Sequence, residues 1–103
     1  ERFPEIEIIQ TGANLGFAGG SNRGIARALK SGADYIILLN NDTVVDPGFA
    51  AELAAAADRD SDAGILCSKV YFYDRPDVLW YAGADFSVAL GWGRMRGYNQ
   101  TDD

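Results

Sequence analysis

A short polar segment directly after an apolar run is the first place in this sequence where chemistry could occur. The run Tyr35-Ile36-Ile37-Leu38-Leu39 is followed by Asn40-Asn41-Asp42-Thr43. A carboxylate beside amide oxygens offers hard oxygen ligands of the kind that Mg²⁺ and Mn²⁺ prefer, and the phosphates of a ligand can fill the remaining positions. Asn, Asp and Thr after a strand are also common turn residues, so a purely structural role for Asp42 stays open.

A glycine-rich segment between residues 12 and 24 is the second such place. It contains Gly12, Gly16, Gly19, Gly20 and Gly24. The spacing is neither that of the dinucleotide-binding fingerprint nor that of the phosphate-binding loop with its Gly-Lys-Ser/Thr ending, which excludes dehydrogenases and P-loop ATPases. The glycines suit a backbone that a ligand approaches closely, and equally a flexible loop.

The elements that would position these two segments can be read from the hydrophobic pattern. Residues 5–9 alternate polar and apolar before becoming wholly apolar, which predicts a strand, and the run at 35–39 predicts a strand covered on both faces. Between them Ser21 is a plausible N-cap of a helix that reaches about Ser31, where Gly32 stops it. A parallel strand-helix-strand unit with a right-handed crossover is therefore expected.

This topology brings the two polar segments together. The carboxyl ends of parallel strands lie at one edge of the sheet, and ligands of open α/β sheets bind in the crevice beyond that edge. The glycine-rich segment and the Asn40–Asp42 cluster are therefore predicted to be neighbours. Asn22 falls on the sheet-facing stripe of the predicted helix, at the edge of the crevice, although a helix-start residue that bonds local backbone would look the same.

The remainder of the chain continues the α/β pattern. Asp46 and Pro47 are the expected N-cap and first residue of a second helix, and Cys67 is interpreted as a small core residue. The predicted fold is a three-layer α/β/α arrangement with a mostly parallel sheet. Its further elements are a helix at 47–58, a strand at 64–71, a turn at 74–77, short strands at 78–82 and 85–90, and a loop at 91–97.

Composition excludes several classes of function. The 103 residues suit a single domain, and the absence of histidine excludes Ser-His-Asp triads and His-ligated zinc. The net charge of −6 disfavours nucleic acid as a partner. A single cysteine and the lack of a signal peptide or transmembrane run lead us to expect a cytoplasmic protein. The first residue is Glu1 and no element closes the chain, so we expect an internal piece of a longer protein.

Two motifs together resemble a known family. The stretch Asn14-Leu15-Gly16-Phe17-Ala18-Gly19-Gly20-Ser21-Asn22-Arg23-Gly24, followed by Leu38-Leu39-Asn40-Asn41-Asp42-Thr43, is similar to the family 2 glycosyltransferases of the GT-A fold. The rhamnosyltransferase-like branch is resembled most, and Leu79-Trp80-Tyr81-Ala82-Gly83 is similar to a strand of that branch. The resemblance covers about residues 3–90 and implies that residues 1–103 form the central, incomplete part of a GT-A catalytic domain.

The resemblance also implies roles for individual residues. Asp42 matches the last acid of the family's metal-binding motif, so it is the expected ligand of a Mg²⁺ or Mn²⁺ that bridges the donor diphosphate, and Asn40 stands where other branches carry the first acid. No catalytic residue is expected here, because the general base should follow Asp103. The strands that hold the base and ribose of the donor should precede Glu1. The residues expected to bind the donor are Asn14, Gly16, Gly20, Asn22, Asn40 and Asn41.

The implied activity is the transfer of a sugar, with inversion, from a nucleoside-diphosphate sugar to an acceptor hydroxyl. A glycan or glycolipid acceptor and a role in cell-surface polysaccharide or glycolipid synthesis are expected, with the whole enzyme in the cytoplasm or peripheral at the inner face of the membrane. We expect residues 1–103 to be inactive alone. A sugar nucleotidyltransferase and a non-catalytic domain of the same fold remain as alternatives.

Overall fold

The computed structural model describes residues 3–102, which divide after Val44 into two compact units. Among the described residues, no helix is long and apolar enough to cross a membrane. The first unit contains one helix, and the second contains one helix and four strands. These elements are α1 (Gly16–Lys30), α2 (Phe49–Arg59), β1 (Val70–Phe72), β2 (Arg75–Tyr81), β3 (Ala84–Ser87) and β4 (Trp92–Met95).

Helix α1 begins before the predicted N-cap. The amide of Gly16 donates a hydrogen bond of 2.9 Å to Oδ1 of Asn14, which satisfies one of the free donors of the first turn. The chain therefore enters the helix at Gly16, and Ser21 lies inside the helix. Prediction from sequence placed the start too late because Gly19 and Gly20 were interpreted as loop residues; a helix tolerates them at an entropic cost.

The end of α1 is where the sequence predicts it. Gly32 has a φ of +78°, which a residue with a side chain rarely adopts. Its amide donates to the carbonyl of Leu29 at 3.1 Å, and the amide of Ala33 donates to the carbonyl of Ala28 at 3.2 Å. These two bonds form a Schellman motif, in which the last carbonyls of the helix find donors.

Helix α2 begins at Phe49, after the predicted Pro47. Asp46 does hold the helix start, because its Oδ1 accepts a hydrogen bond of 2.8 Å from the amide of Gly48. Gly48 itself occupies the cap position. The members of the predicted apolar stripe are half-buried, but so are Ala54 and Ala55, so burial does not distinguish the stripe from these neighbours in the helix; the stripe consists of Phe49, Leu53, Ala56 and Ala57.

The second unit is built on one long antiparallel hairpin, whose arms are residues 75–87 and 92–102. In β3 and β4, Ala84 lies opposite Met95. Beyond a bend at Gly83, which has a φ of +98°, the same register continues, so that Val78 lies opposite Thr101. The amide of Leu79 donates to the carbonyl of Gln100 at 2.9 Å. The segment after β4 therefore bonds to one edge of β2.

Strand β1 pairs with β2 on its other edge, antiparallel and with irregular register. Strand β2 is thus the centre of the second unit, and the most buried apolar side chain of the described residues belongs to it: Leu79 is 6% exposed. Gly97 lies against Leu79, since a Cβ added to that glycine would stand 2.9 Å from Leu79 Cδ1.

The predicted parallel sheet is not seen among residues 3–102, where all strand pairs are antiparallel. Residues 5–9 and 35–39 carry no strand, and the apolar side chains at 35–39 are between 36% and 56% exposed instead of covered. A strand forms only where a neighbour lies about 4.8 Å away to complete its hydrogen bonds. The described residues up to Val44 contain no such neighbour.

Other predictions for the second unit differ in their bounds. The strand expected at 64–71 begins only at Val70, and Cys67 before it is exposed and not a core residue. The predicted short strands at 78–82 and 85–90 correspond to β2 and β3. The loop expected at 91–97 is wrong, because Trp92–Met95 is β4. Gly93 lies opposite Phe86 in this strand. A Cβ added to Gly93 would stand only 3.3 Å from Cδ2 of the Phe86 ring, so a glycine suits this position.

Candidate functional site

Asn14 stands at the entrance of α1, where its side chain already has a structural task. Its Oδ1 accepts the amide of Gly16, and Gly16 has a φ of +68° that permits the sharp entry into the helix. The side chain is exposed. The Nδ2 group of Asn14 is not used in this turn, so the residue can hold the helix start and still offer a donor to a ligand.

Helix α1 presents the next predicted site residues. Gly20 is half-buried and Asn22 is exposed, and since α1 begins at Gly16, Asn22 lies in its second turn and not in its first. Within residues 3–102 the Asn22 side chain makes no hydrogen bond. Gly19 lets the Leu15 side chain lie close to the backbone of α1, because a Cβ added to this glycine would stand 2.7 Å from the Cβ of Leu15.

The polar segment after residue 39 forms a tight turn at Asn41 and Asp42. The hydroxyl of Thr43 donates to the backbone carbonyl of Asn40 at 2.8 Å, which closes the turn. The side chains of Asn40, Asn41 and Asp42 are exposed. In the part of the chain that the structure describes, the Asp42 carboxylate accepts no hydrogen bond and forms no ion pair. Its lone pairs are therefore available to a ligand.

The donor set of this turn fits a hard cation in its chemistry. One carboxylate and two amide oxygens are the ligand types that Mg²⁺ and Mn²⁺ accept. Within residues 3–102, no group of three or more acidic, histidine or cysteine side chains could hold a metal ion. A cation at Asp42 would therefore depend on oxygen ligands that the bound substrate supplies.

The structure places the predicted site residues on two segments of the first unit, the α1 entrance and the Asn41–Asp42 turn. Among residues 3–102, no hydrogen bond links Asn14 or Asn22 to that turn. Their convergence beyond a shared sheet edge stays a prediction.

An ionic cluster in the second unit was missed by the sequence analysis. The Asp102 carboxylate accepts hydrogen bonds from Nζ of Lys69, at 2.6 and 2.9 Å, and from the Tyr71 hydroxyl. The Lys69 hydrogen bond, followed by that of Tyr71, lowers the pKa of Asp102, while the pKa of Lys69 is raised by its bond to Asp102. Lys69 and Tyr71 share a side of an extended segment, but nothing local in the sequence points to Asp102.

A second group of side chains fastens the end of the same hairpin. The Arg75 guanidinium lies 4.3 Å from the centre of the Phe72 ring and donates a hydrogen bond of 3.1 Å to Oδ1 of Asn99. The rings of Phe72 and Tyr98 are 6.0 Å apart and tilted. Both groups join β1 and β2 to the segment after β4, so their evident role is to hold that segment in place.

Comparison with known proteins identifies relatives of this chain. Residues 1–102 match the family model described as glycosyl transferase family 2. An uncharacterized protein of Mycobacterium tuberculosis strain H37Rv is 44% identical over 67 residues, which are 62% of this chain and 25% of that protein. An N-acetylglucosaminyl-diphospho-decaprenol L-rhamnosyltransferase of the same strain is 34% identical over 74 residues, which are 64% of this chain and 24% of that enzyme.

This chain therefore spans about a quarter of the length of the curated relatives that it matches. No solved structure matches it significantly.

Proposed function

This chain belongs to glycosyl transferase family 2, and we propose that the whole protein transfers a sugar from a nucleoside-diphosphate donor to an acceptor hydroxyl. Membership implies a GT-A type fold, and the three-layer parallel sheet belongs to the proposal. The observation that carries the site assignment is the Asp42 carboxylate, which is exposed at a tight turn and unpaired within residues 3–102. The family match supports sugar transfer over nucleotidyl transfer.

In this proposal the first unit holds the donor. Asp42 is the protein's carboxylate ligand to a Mg²⁺ or Mn²⁺, with Asn40 and Asn41 beside it. The cation, when bound, stabilises the negative charge of the leaving diphosphate. Asn14 offers its free amide group, and Gly16 and Gly20 leave room for the donor to approach the backbone of α1. Asn22 adds a further amide on the same helix.

The reaction is a single displacement that inverts the anomeric carbon. The acceptor oxygen forms a bond to that carbon while the bond from the carbon to the diphosphate oxygen breaks. The hydroxyl proton passes to a carboxylate base, which we expect beyond Asp103. Residues 1–103 alone would therefore transfer no sugar.

The acceptor and location are proposed from the rhamnosyltransferase relative, whose name describes a lipid-linked acceptor. For the present protein we propose a glycolipid or glycan acceptor in cell-surface polymer synthesis. The enzyme would act in the cytoplasm, peripherally at the inner face of the membrane.

The test is a titration of the whole protein with nucleoside diphosphate, with and without Mn²⁺, in the natural protein and in Asp42→Asn. We expect Mn²⁺ to tighten nucleotide binding only in the natural protein. Turnover should fall roughly a hundredfold in the variant, because a metal ion supplies several kcal/mol of charge stabilisation. Asp74→Asn, at the turn between β1 and β2, is the matched control and should change neither quantity. Equal affinity and turnover in Asp42→Asn would remove Asp42 from the mechanism.

A further inference from the structure

The hairpin of β3 and β4 has two faces of different chemistry. Side chains of a strand alternate between the faces, and residues directly opposite each other on paired strands share one face. Asp85 lies opposite Arg94, and Ser87 lies opposite Trp92. Together with Arg96, which pairs with Asp85, these residues form what we call the charged face. The opposite face carries no charge and consists of Ala84, Phe86, Gly93 and Met95.

The charged face is the one that stays in solvent in the whole protein. Charged side chains are almost never fully buried unless they are paired. Arg94 forms no ion pair within residues 3–102. The pair of Asp85 and Arg96, at 2.9 Å, is well exposed. The rest of the enzyme can cover the apolar side chains of the opposite face, but the same burial of the charged face would strand these charges.

Trp92 is therefore a large aromatic side chain on a face that water reaches. In the part of the chain that the structure describes, its indole makes no ring contact and no hydrogen bond. A turn fixes the strand pair at this end, because the carbonyl of Ser87 accepts the amide of Gly91 at 2.9 Å and Oγ of Ser87 accepts the amide of Leu90 at 3.3 Å. Such a fixed aromatic surface loses little freedom when a ligand binds.

The groups beside the indole suit a neutral sugar. The C–H face of a sugar ring is apolar and packs on an aromatic ring, while its hydroxyls donate to a carboxylate and accept from a guanidinium. Asp85 and Arg94 supply these two groups next to Trp92. A nucleoside diphosphate could stack through its base, but its phosphates would be attracted by Arg94 and repelled by Asp85. Hydroxyls use both groups, so the charges on this face complement a sugar better than a polyanion.

We propose that the charged face binds a sugar ring of the acceptor, stacked on Trp92 and hydrogen-bonded to Asp85 and Arg94. The inference rests on the proposed function, which assigns the donor to the first unit and names no residue for the acceptor. Arg96 is a positioning residue, because its ion pair holds the Asp85 carboxylate in place. Stacking on one indole tolerates many sugars, so the face holds the ring without selecting it sharply.

The experiment is saturation-transfer difference NMR on the whole protein with the methyl glycosides of glucose, galactose, rhamnose and N-acetylglucosamine. We expect transfer to the ring protons of at least one glycoside and a roughly tenfold loss of affinity in Trp92→Ala. Trp92→Phe should retain most of the binding. Arg94→Gln leaves the indole in place and should also weaken binding. The matched control is Tyr73→Ala, which removes an exposed aromatic side chain at the turn between β1 and β2 and should change nothing.

Nucleoside-diphosphate affinity and the mass in solution are measured for the same variants. The proposal is overturned if no glycoside binds, if Trp92→Ala and Arg94→Gln bind glycosides as the natural protein does, or if Trp92→Ala weakens nucleotide binding, which would place a base on this face. A dimer that Trp92→Ala dissociates would also overturn it, because a second copy would then cover the indole.

The two proposals fail in distinguishable ways. Nucleotide binding without glycoside binding would refute the sugar site and leave the proposed function intact. Glycoside binding that depends on Trp92, in a protein that binds no nucleotide, would support the sugar site and count against the proposed function.

Discussion

The Asp102 carboxylate lies 2.6 Å from the ammonium group of Lys69, although the two residues are 33 positions apart in the chain. The amide of Asp102 also donates to the carbonyl of Asp77 at 3.0 Å, so side chain and backbone of one residue fasten the last segment across the sheet. With its side chain 24% exposed, Asp102 is the better shielded partner of the contact. This ion pair therefore differs from those that stand fully in solvent.

The first prediction tests whether the contacts of Asp102 keep the segment after β4 bonded to β2. Asp102→Asn should speed hydrogen exchange at the amide of Leu79, because that amide donates to Gln100 in the fastened segment. Asp85→Asn is the control: Asp85 pairs with Arg96 at 2.9 Å, but both side chains are well exposed. Exchange measured by NMR should change clearly in the first variant and little in the second. Equal changes in the exchange rate in the two variants would show that the lower solvent exposure of Asp102 does not make its contacts more important than those of Asp85.

The second prediction is a pH dependence from the same cluster. The pKa of Asp102 in the folded protein lies below its ordinary value of 3.8, because Lys69 and Tyr71 donate to its charged form. Its contribution to stability is therefore present above that value and is lost as the pH falls through the lower folded pKa. Melting temperatures of the natural protein and Asp102→Asn should differ at pH 5 and should converge only as the pH falls below 3.8. A constant difference at all pH values would contradict this.

The third prediction separates two causes of destabilisation at Gly97, the positive φ and the steric contact of a new Cβ with its neighbours. Alanine there meets a φ of +73° and would place its Cβ 2.9 Å from Leu79 and 3.0 Å from Ala82. Gly91→Ala is the control, since Gly91 has a φ of +65° but nothing within 4 Å. We expect Gly91→Ala to cost about 1–2 kcal/mol of unfolding free energy and Gly97→Ala about 1–3 kcal/mol more. Urea titrations measure both, and equal costs would rule out crowding at Leu79.

The fourth prediction uses the glycines of α1. Gly19→Ala should destabilise the protein, because its Cβ would collide with that of Leu15 at 2.7 Å. Gly24→Ala has open space at an interior helix position and should stabilise by about 0.5–1 kcal/mol. Thermal melts followed by circular dichroism compare the two. Stabilisation by both substitutions would show that Leu15 can move away from the added Cβ without a loss of stability.

The fifth prediction separates structure from donor binding at two asparagines. Asn14→Ala should lower stability by about 1 kcal/mol, because the amide of Gly16 loses its partner. Asn14→Asp keeps the acceptor and should restore stability, but it removes the amide donor proposed for the ligand. Asn22→Ala should raise the donor KM with stability unchanged. A rise in KM that follows stability in all three variants would contradict a binding role.

The sequence was sufficient to predict the two helices, because a helix depends on periodicity and end signals within a few residues. Gly32 was identified correctly as the stop of α1, and Asp46 was identified as a residue that holds the start of α2, although the cap itself is Gly48, two residues later. The sheet was not predictable in the same way. β4 was missed because Gly93 suggested a loop, whereas its place opposite Phe86 depends on a distant register. The convergence of Asn14 with Asp42 requires contacts between segments that local patterns do not encode.

The backbone hydrogen bonds along the long hairpin also limit how readily a protease can cut the hairpin. Arg96 is a trypsin site that lies between β4 and the segment that covers Leu79. The backbone of Arg96 is bonded on both sides, its amide to the carbonyl of Gly83 at 2.8 Å and its carbonyl to the amide of Ala82 at 3.1 Å. Trypsin can therefore cut after Arg96 only when these two hydrogen bonds at the bend have broken. The rate of cleavage after Arg96 under native conditions would report how often Leu79 loses its cover.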